Sequence, residues 1–194
     1  MNKKNMKKLQ EILIQVALRI AKRGEGAIFV VGEVNYKPLV NQSVPPFKVV
    51  DNPKLLESLA IIDGAVIINK EGFVEAYGAM IKSTKVLKHY GTRHSAAISA
   101  SKGDNFVIVV SEEDRKVKIL QKGKMLMQFD ALQKNVEKSV SQAVDVLESI
   151  GAGTIGVIGT SLLLPGLGLT LLPGLVVFGS AYYLTKMLRR SFKK

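Results

Sequence analysis

The stretch from Asp63 to Glu113 constrains the fold most, because small polar clusters in it stand at the ends of apolar, β-rich runs. The runs are short enough for strands that are buried on both faces. Polar residues at the ends of buried strands are typical of a sheet that carries a functional site along one edge. The three polar clusters are Asp63-Gly64-Ala65, Gly91-Thr92-Arg93-His94 and Ser111-Glu112-Glu113.

Strand and helix patterns mix along the chain without strict alternation. Strand-like runs cover residues 27–34, 65–69, 73–77, 105–110, 116–120 and 125–129, and helical patterns cover residues 5–23, 53–60, 93–101 and 130–150. The last two strand runs are joined by Lys122-Gly123 and form a predicted hairpin. The mixture predicts an α/β fold with a central mixed, twisted sheet that is flanked by helices.

The two outer helical patterns frame this sheet. The first forms an N-terminal amphipathic helix within residues 1–24, with a stripe of apolar residues at three- and four-residue spacing and Gly24 at its end. Packing on the domain is the favoured interpretation, and a basic helix lying on a membrane is the alternative. The other pattern is a connecting helix over residues 131–150, for which Asp130 is the expected N-cap.

The C-terminal segment is apolar for longer than a soluble helix needs. Residues 149–185 are 37 consecutive residues without a charge, and a bilayer span needs about 20. Pro165-Gly166 and Pro173-Gly174 divide the run into two shorter pieces. A hydrophobic helical hairpin associated with a membrane over residues 151–188 is therefore expected. A re-entrant loop, one tilted span, and a hairpin buried in a soluble protein are the alternatives.

The net charge of +12 is concentrated at the ends of the chain. Nine basic residues and no acidic ones lie in residues 1–8 and 186–194, which leaves +3 for residues 9–185. Basic ends favour anionic lipid surfaces, so membrane lipid is an expected partner of residues 151–188. Nucleic acid is not an expected partner, because the aromatic residues are not interleaved with the basic ones. The chain contains no cysteine, which excludes disulfides and Cys-ligated metals.

Each polar cluster suits one part of nucleotide chemistry, although each also has an ordinary interpretation. Asp63-Gly64-Ala65 lets a ligand approach the backbone beside a carboxylate, or is simply a turn. Gly91-Thr92-Arg93-His94 offers amides, a hydroxyl and a guanidinium to a phosphate, or is an ordinary helix N-cap. Ser111-Glu112-Glu113 could hold Mg²⁺ or Mn²⁺, or form a solvated loop. Together they indicate metal-assisted nucleotide chemistry.

In order and spacing, these clusters resemble the diadenylate cyclase domain family over about residues 25–130. The resemblance implies a diadenylate cyclase-like α/β domain that condenses two ATP molecules into cyclic di-AMP and releases two pyrophosphates. It also implies Mn²⁺ or Mg²⁺ as the cofactor and a second copy of the chain, facing active site to active site, as a partner. With ATP as substrate, the catalytic domain is expected on the cytoplasmic side of the cell membrane.

The same resemblance implies a role for each site residue. Asp63 would be the catalytic residue that orients the attacking hydroxyl, and it would bind the metal together with Glu113. The implied ATP-binding residues are Gly64, Ala65, Ile81, Thr92, Arg93, His94, Ser111 and Glu112. Gly64 and Ala65 would admit the ribose and α-phosphate, Ile81 would line the adenine slot, and the others would hold phosphates.

One residue departs from the family pattern. Ser95 stands where many members carry a second arginine, as Arg-His-Arg, so one phosphate contact is missing. Lys102 or a residue of the facing subunit is the expected substitute. The departure favours one alternative to an active cyclase, a catalytically degenerate nucleotide-binding or sensor module on a membrane anchor. Two further alternatives remain open: a membrane-inserting structural protein, and a nucleotidyltransferase with another acceptor.

Overall fold

The computed structural model describes residues 2–41, 44–82, 91–151 and 175–177. Its helices are α1 (Lys3–Arg23), α2 (Pro53–Ala60), α3 (Thr92–Ala100) and α4 (Val140–Gly151), and a 3-10 helix covers Val136–Ser139. Its strands are β1 (Ala27–Val31), β2 (Tyr36–Pro38), β3 (Ala65–Ile68), β4 (Val74–Ile81), β5 (Phe106–Ser111), β6 (Lys116–Gln121), β7 (Lys124–Asp130) and β8 (Leu175–Val177).

The strands form one mixed sheet in the order β2-β4-β3-β1-β5-β6-β7-β8. β1 lies beside β3 in parallel, with Phe29 opposite Val66, and beside β5 in antiparallel, with Ala27 opposite Val110. Every other neighbouring pair is antiparallel. The predicted α/β fold with a central mixed sheet and flanking helices is therefore confirmed.

Both faces of the central strands are covered. Along β1, Ala27, Phe29 and Val31 belong to one apolar cluster, and Ile28 and Val30 belong to a second cluster on the other face. The first cluster includes the apolar residues of α1 and α4, and the second includes those of α3. A strand that is buried on both faces reads as a continuous apolar run, which explains the sequences of β1 and β5.

α1 is packed on the sheet rather than exposed. Eight of its residues are buried, including Leu13 and Val16, and the Asn2 side chain accepts a hydrogen bond from the Lys4 amide at the start of the helix. Gly24 ends the helix in the left-handed conformation, which favours glycine. On its polar face, the guanidinium of Arg19 lies 2.7 Å from the carboxylate of Glu57 in α2.

The predicted helix start at Asp130 is wrong. Asp130 ends β7 opposite Lys116, and its carboxylate accepts a hydrogen bond from the Leu132 amide at 3.0 Å. A turn follows over residues 131–135, in which Ala131 is buried and Leu132 is exposed, and the 3-10 helix begins only at Val136. The short edge strand β2 lies outside the strand-like runs of the sequence and contains Pro38. The missing amide of a proline costs little at the edge of a sheet.

The C-terminal segment differs from its prediction where the structure describes it. Leu175–Val177 forms an edge strand with Met127–Phe129, so a helical hairpin is wrong for these three residues. The rest of the expected hairpin, residues 152–174 and 178–188, lies outside the described residues. Among the residues that are described, none of the helices combines the length and apolarity needed to cross a bilayer.

Replacing Leu13 by alanine should destabilise the domain strongly. Leu13 is 0% exposed at the centre of α1, and truncating such a side chain costs about 2–5 kcal/mol of the free energy of unfolding. The matched control is Leu132→Ala at a site that is 68% exposed, where the change should stay within about 0.5 kcal/mol. Urea unfolding measures both. Equal stability of the two variants would mean that α1 does not pack on the sheet.

Candidate active site

The site lies at one edge of the sheet, where strand direction brings distant segments together. β1 and β3 are parallel and both begin at this edge, whereas β5 is antiparallel to β1 and ends there. Gly26 precedes β1, Gly64 precedes β3, and Ser111 ends β5. Two of the three polar clusters found in the sequence therefore meet by topology alone, and α3 supplies the third.

Asp63-Gly64 forms a tight loop in front of β3. Gly64 has a φ of +107°, and a Cβ there would lie 2.6 Å from the carbonyl carbon of Gly78 in β4. Only glycine suits that backbone, because the conformation and the close strand both exclude a side chain. The Asp63 carboxylate accepts a hydrogen bond from the Gly64 amide at 3.1 Å and its side chain is 87% exposed. The loop thus presents an accessible carboxylate in a defined position.

α3 begins at the second cluster. Gly91 is the N-cap residue and Thr92, which is exposed, is the first helical residue. The first amides of a helix have no carbonyl partner within the helix, and its N-terminus carries a partial positive charge. This end of α3 is therefore suited to an anion such as a phosphate.

Arg93 connects the three clusters. Its Nη1 donates to Oε2 of Glu112 at 2.9 Å, and its Nη2 lies 3.9 Å from Oδ1 of Asp63. The guanidinium also lies against the backbone of Gly26, since a Cβ on Gly26 would be 2.9 Å from the Arg93 Cζ. A guanidinium that is shared between two exposed carboxylates is available to a stronger multivalent anion.

The third cluster, at the end of β5, consists of one buried residue and two exposed ones. Ser111 is buried, and its hydroxyl accepts a hydrogen bond from the Asp114 amide at 3.3 Å, so it shapes the turn that follows. Glu112 is exposed and pairs with Arg93. Glu113 is exposed in the same turn, and it makes no ion pair or hydrogen bond with the described part of the site.

His94 lies half-buried behind this group. Its Nε2 is 2.9 Å from Nζ of Lys118, which is in turn 3.4 Å from Oδ2 of Asp114. Burial lowers the pKa of His94 below its ordinary value, and the charge of Lys118 acts in the same direction, whereas Asp114 opposes both. His94 is therefore held as a neutral ring near physiological pH.

Two further residues implied by the family resemblance occupy apolar positions. Ala65, the first residue of β3, lies opposite Ala79 of β4 and is buried. Ile81 ends β4 at the same edge and is buried in the apolar cluster on the α3 face.

A known protein family matches this domain. The family model described as DisA bacterial checkpoint controller nucleotide-binding, abbreviated DAC, matches residues 15–125, which is more than half of the chain. The chain belongs to the DAC family. The resemblance of the three polar clusters to diadenylate cyclase domains is thereby confirmed, and the matched residues contain all three clusters.

Relatives of the DAC domain are known as proteins and as structures. A diadenylate cyclase of Haloferax volcanii is 30% identical over 139 residues, which cover 61% of this chain and 51% of that protein. The chain thus spans about half the length of this relative. A double mutant of DacA from Staphylococcus aureus is similar with a TM-score of 0.46 and 26% identity, over 63% of this chain and 87% of that one.

A hypothetical membrane spanning protein from Bacillus cereus is also similar, with a TM-score of 0.45 and 27% identity over 59% of this chain and 60% of that chain. Both TM-scores are low. The family assignment therefore rests on the family model.

The DAC site contains two residues that the sequence did not reveal as functional. Gly26 has no motif around it, and its importance is visible only because Arg93 lies against it. Lys118 is one of two lysines in β6, where Lys116 and Lys118 alternate with Val117 and Ile119, so the sequence pattern indicates a solvent-facing position and gives no signal of a buried one. Lys102, the expected substitute for the missing arginine, follows the far end of α3 near Gly123. α3 is about 13 Å long, so Lys102 is remote from the phosphate-binding end.

The donor atoms of the site fit a metal that is bound mainly by substrate. Among the described residues there is no group of three or more His, Cys, Asp or Glu side chains arranged around a metal. Mg²⁺ typically takes one or two protein carboxylates and completes its shell with phosphate oxygens and water. The exposed carboxylate of Asp63 fits that pattern. Glu113 is exposed, and no contact brings it to Asp63.

Replacing Gly26 by alanine should displace Arg93 without unfolding the domain. The added methyl group meets only the end of the flexible Arg93 side chain, so the free energy of unfolding should change by less than about 1 kcal/mol. Affinity for a nucleoside triphosphate should fall roughly tenfold, because a charge-assisted contact is lost.

Calorimetric titration with ATP and urea unfolding measure the two effects. Gly103→Ala is the matched control, since a Cβ at Gly103 meets no atom within 4 Å. Unchanged ATP affinity in the Gly26→Ala variant would show that Arg93 does not bind the phosphates.

Proposed function

We propose that this chain is a diadenylate cyclase, which condenses two ATP molecules into cyclic di-AMP and releases two pyrophosphates. One observation carries the proposal: the guanidinium of Arg93 lies between Glu112 and Asp63, so all three clusters of the family pattern converge on one point. Membership of the DAC family supports the nucleotide as ligand. The name of the Haloferax volcanii relative supports the reaction.

ATP would bind with its phosphates at the start of α3. The amides there, the hydroxyl of Thr92 and the guanidinium of Arg93 complement negative oxygens, and the neutral ring of His94 adds a hydrogen-bond donor. Glu112 would hold Arg93 in place, and Ser111 would stabilise the turn that carries Glu112. The small residues Gly64 and Ala65 would let the ribose and α-phosphate approach the sheet edge, with the adenine towards Ile81.

The reaction joins the 3′-oxygen of each ribose to the α-phosphorus of the other ATP. A P–O bond to pyrophosphate breaks as each new P–O bond forms, and each hydroxyl releases one proton. Asp63 is placed to orient a hydroxyl and accept its proton, because its carboxylate is exposed and fixed by the Gly64 amide. Mn²⁺ or Mg²⁺ bound with the phosphates through Asp63 and Glu113 would supply charge stabilisation at the α-phosphate.

Two copies of the chain are needed for this chemistry. One site holds one ATP, and the attacking hydroxyl must come from the other nucleotide, so two sites have to face each other. The high exposure of Asp63 is consistent with a site that is completed by a facing copy. The facing pair would place both ATP molecules in an orientation that favours reaction.

The alternative of a degenerate sensor rests on Ser95. Ser95 replaces the second arginine of the family pattern, but Ser95 is only 1% exposed and faces into the domain. The ammonium of Lys118 lies beside the adjacent residue His94, so this side of the site retains a cation. Formation of cyclic di-AMP from ATP separates the enzyme from the sensor.

Replacing Asp63 by asparagine should abolish the synthesis of cyclic di-AMP. The full chain in detergent is incubated with ATP and Mn²⁺ or Mg²⁺, and the product is detected by mass spectrometry. Loss of the carboxylate should reduce the rate at least about 100-fold while ATP still binds. Asp51→Asn, an exposed aspartate in the turn before α2, is the matched control and should retain full activity.

The possible failures of this experiment are distinct. A wild-type chain that binds ATP but forms no product with either metal would contradict the cyclase proposal and favour the sensor. Full activity in the Asp63→Asn variant would leave the reaction intact and show that the catalytic residue is wrong.

We also propose that the uncharged segment within residues 151–188, apart from the strand Leu175–Val177 that pairs with β7, attaches the enzyme to the cell membrane, with the catalytic domain on the cytoplasmic side. The support is the 37-residue uncharged run, followed by the basic residues of the C-terminus. After cell lysis the chain should sediment with membranes and be released by detergent but not by high salt. Recovery in the supernatant without detergent would contradict the attachment.

A further inference from the structure

Lys118 occupies an unusual position for a lysine. It lies in the middle of β6, between Val109 of β5 and Gln128 of β7, and it is only 8% exposed. Directly paired residues of neighbouring strands share a face of the sheet, and Val109 belongs to the apolar cluster under α3. The aliphatic part of Lys118 therefore runs beneath α3, and its ammonium emerges at the first turn of that helix.

The contacts of this ammonium determine the state of the neighbouring ring. Nζ of Lys118 lies 2.9 Å from Nε2 of His94 and 3.4 Å from Oδ2 of Asp114. An ammonium group has three donors and no acceptor, so the hydrogen bond to His94 requires a lone pair on Nε2. A ring with a lone pair on Nε2 is neutral and carries its proton on Nδ1.

We propose that Lys118 is a positioning residue, which holds His94 as the neutral Nδ1–H tautomer and places a fixed positive charge behind the phosphate-binding end of α3. Asp114 keeps the lysine in place from the other side. Arg93 and Lys118 then each place a positive charge at this end of the helix, and His94 acts as a hydrogen-bond donor rather than as a cation.

This assignment gives the missing arginine a different substitute from the one the sequence indicated. Lys102 follows the C-terminal end of α3, whereas the ammonium of Lys118 lies beside His94 in the first turn of the helix. Ser95 is small and buried, and the cation beside the first turn of α3 comes from β6.

The tautomer can be measured without any assumption about catalysis. The chain has two histidines, so ring ¹⁵N chemical shifts assign readily, and His89→Gln identifies the signals of His94. In the wild type at neutral pH, Nδ1 should carry the proton and Nε2 should be the acceptor. A doubly protonated ring, or a ring protonated on Nε2, would overturn the proposal whatever any variant does.

Lys118→Met removes the ammonium and keeps a long apolar side chain that suits a buried strand. The Nε2–H tautomer, which a free imidazole ring prefers, should then become populated. Lys118→Arg keeps a charged donor and should retain the Nδ1–H tautomer. If the spectrum of the Lys118→Met variant shows the wild-type tautomer, Lys118 does not control the ring and the proposal fails. Should this variant not fold, the wild-type spectrum and the Lys118→Arg spectrum still decide whether His94 carries its proton on Nδ1.

The consequence for substrate rests on the proposed function and is measured with ATP itself. The Lys118→Met variant should bind ATP roughly tenfold more weakly, because a charge-assisted contribution at the phosphates is lost. Lys118→Arg should recover most of that affinity. Lys124→Met, at an exposed lysine that begins β7, is the matched control and should bind as the wild type does.

The two proposals fail in different ways. A wild-type chain that shows the expected tautomer and ATP affinities but makes no cyclic di-AMP would contradict the cyclase and leave the role of Lys118 intact. A chain that makes cyclic di-AMP while Lys118→Met changes neither the tautomer nor the ATP affinity would contradict only the role of Lys118.

Discussion

The pairing of β1 with both β3 and β5 is the constraint on which the rest of the molecule depends. β1 lies at the centre of the described sheet, parallel to one neighbour and antiparallel to the other. This combination brings the starts of two strands and the end of a third to one edge. Both faces of β1 are packed, so a shift of one residue in its register would move Phe29 from the apolar cluster beneath α1 to the cluster beneath α3. The position of the site is thus determined by the burial of β1.

Stability and function use different parts of the chain. The apolar residues of α1, β1, β5 and α4 form the core, and their burial is the main favourable term in folding. The carboxylates and guanidinium of the site are largely exposed, and exposed ion pairs contribute little to stability, about 0–1 kcal/mol each. The guanidinium of Arg93 can therefore exchange a carboxylate partner for a phosphate at small cost to the fold. Lys118 is the exception, since it is a charge that the core itself holds in place.

Much of the fold was predictable because its signals are local. The run of β5 is apolar up to Ser111, and the two-residue turn at Lys122-Gly123 has two positive φ angles, of which glycine readily adopts the second. The helix expected at Asp130 was wrong because pairing with β6 extends β7 to that residue, and no local pattern shows such pairing. Leu175–Val177 was expected to be helical for the same reason: its partner strand lies almost fifty residues earlier.

The sequence by itself determined the family, the mixed α/β fold and the three polar clusters, because these depend on residue type and spacing along the chain. Only the tertiary structure decided how the clusters combine. It placed Arg93 against Gly26 and between two carboxylates, turned Ser111 and Ser95 inward, and brought Lys118 rather than Lys102 to His94. The physical reason is that these contacts join residues on different elements, and strand order and helix direction alone bring such residues together.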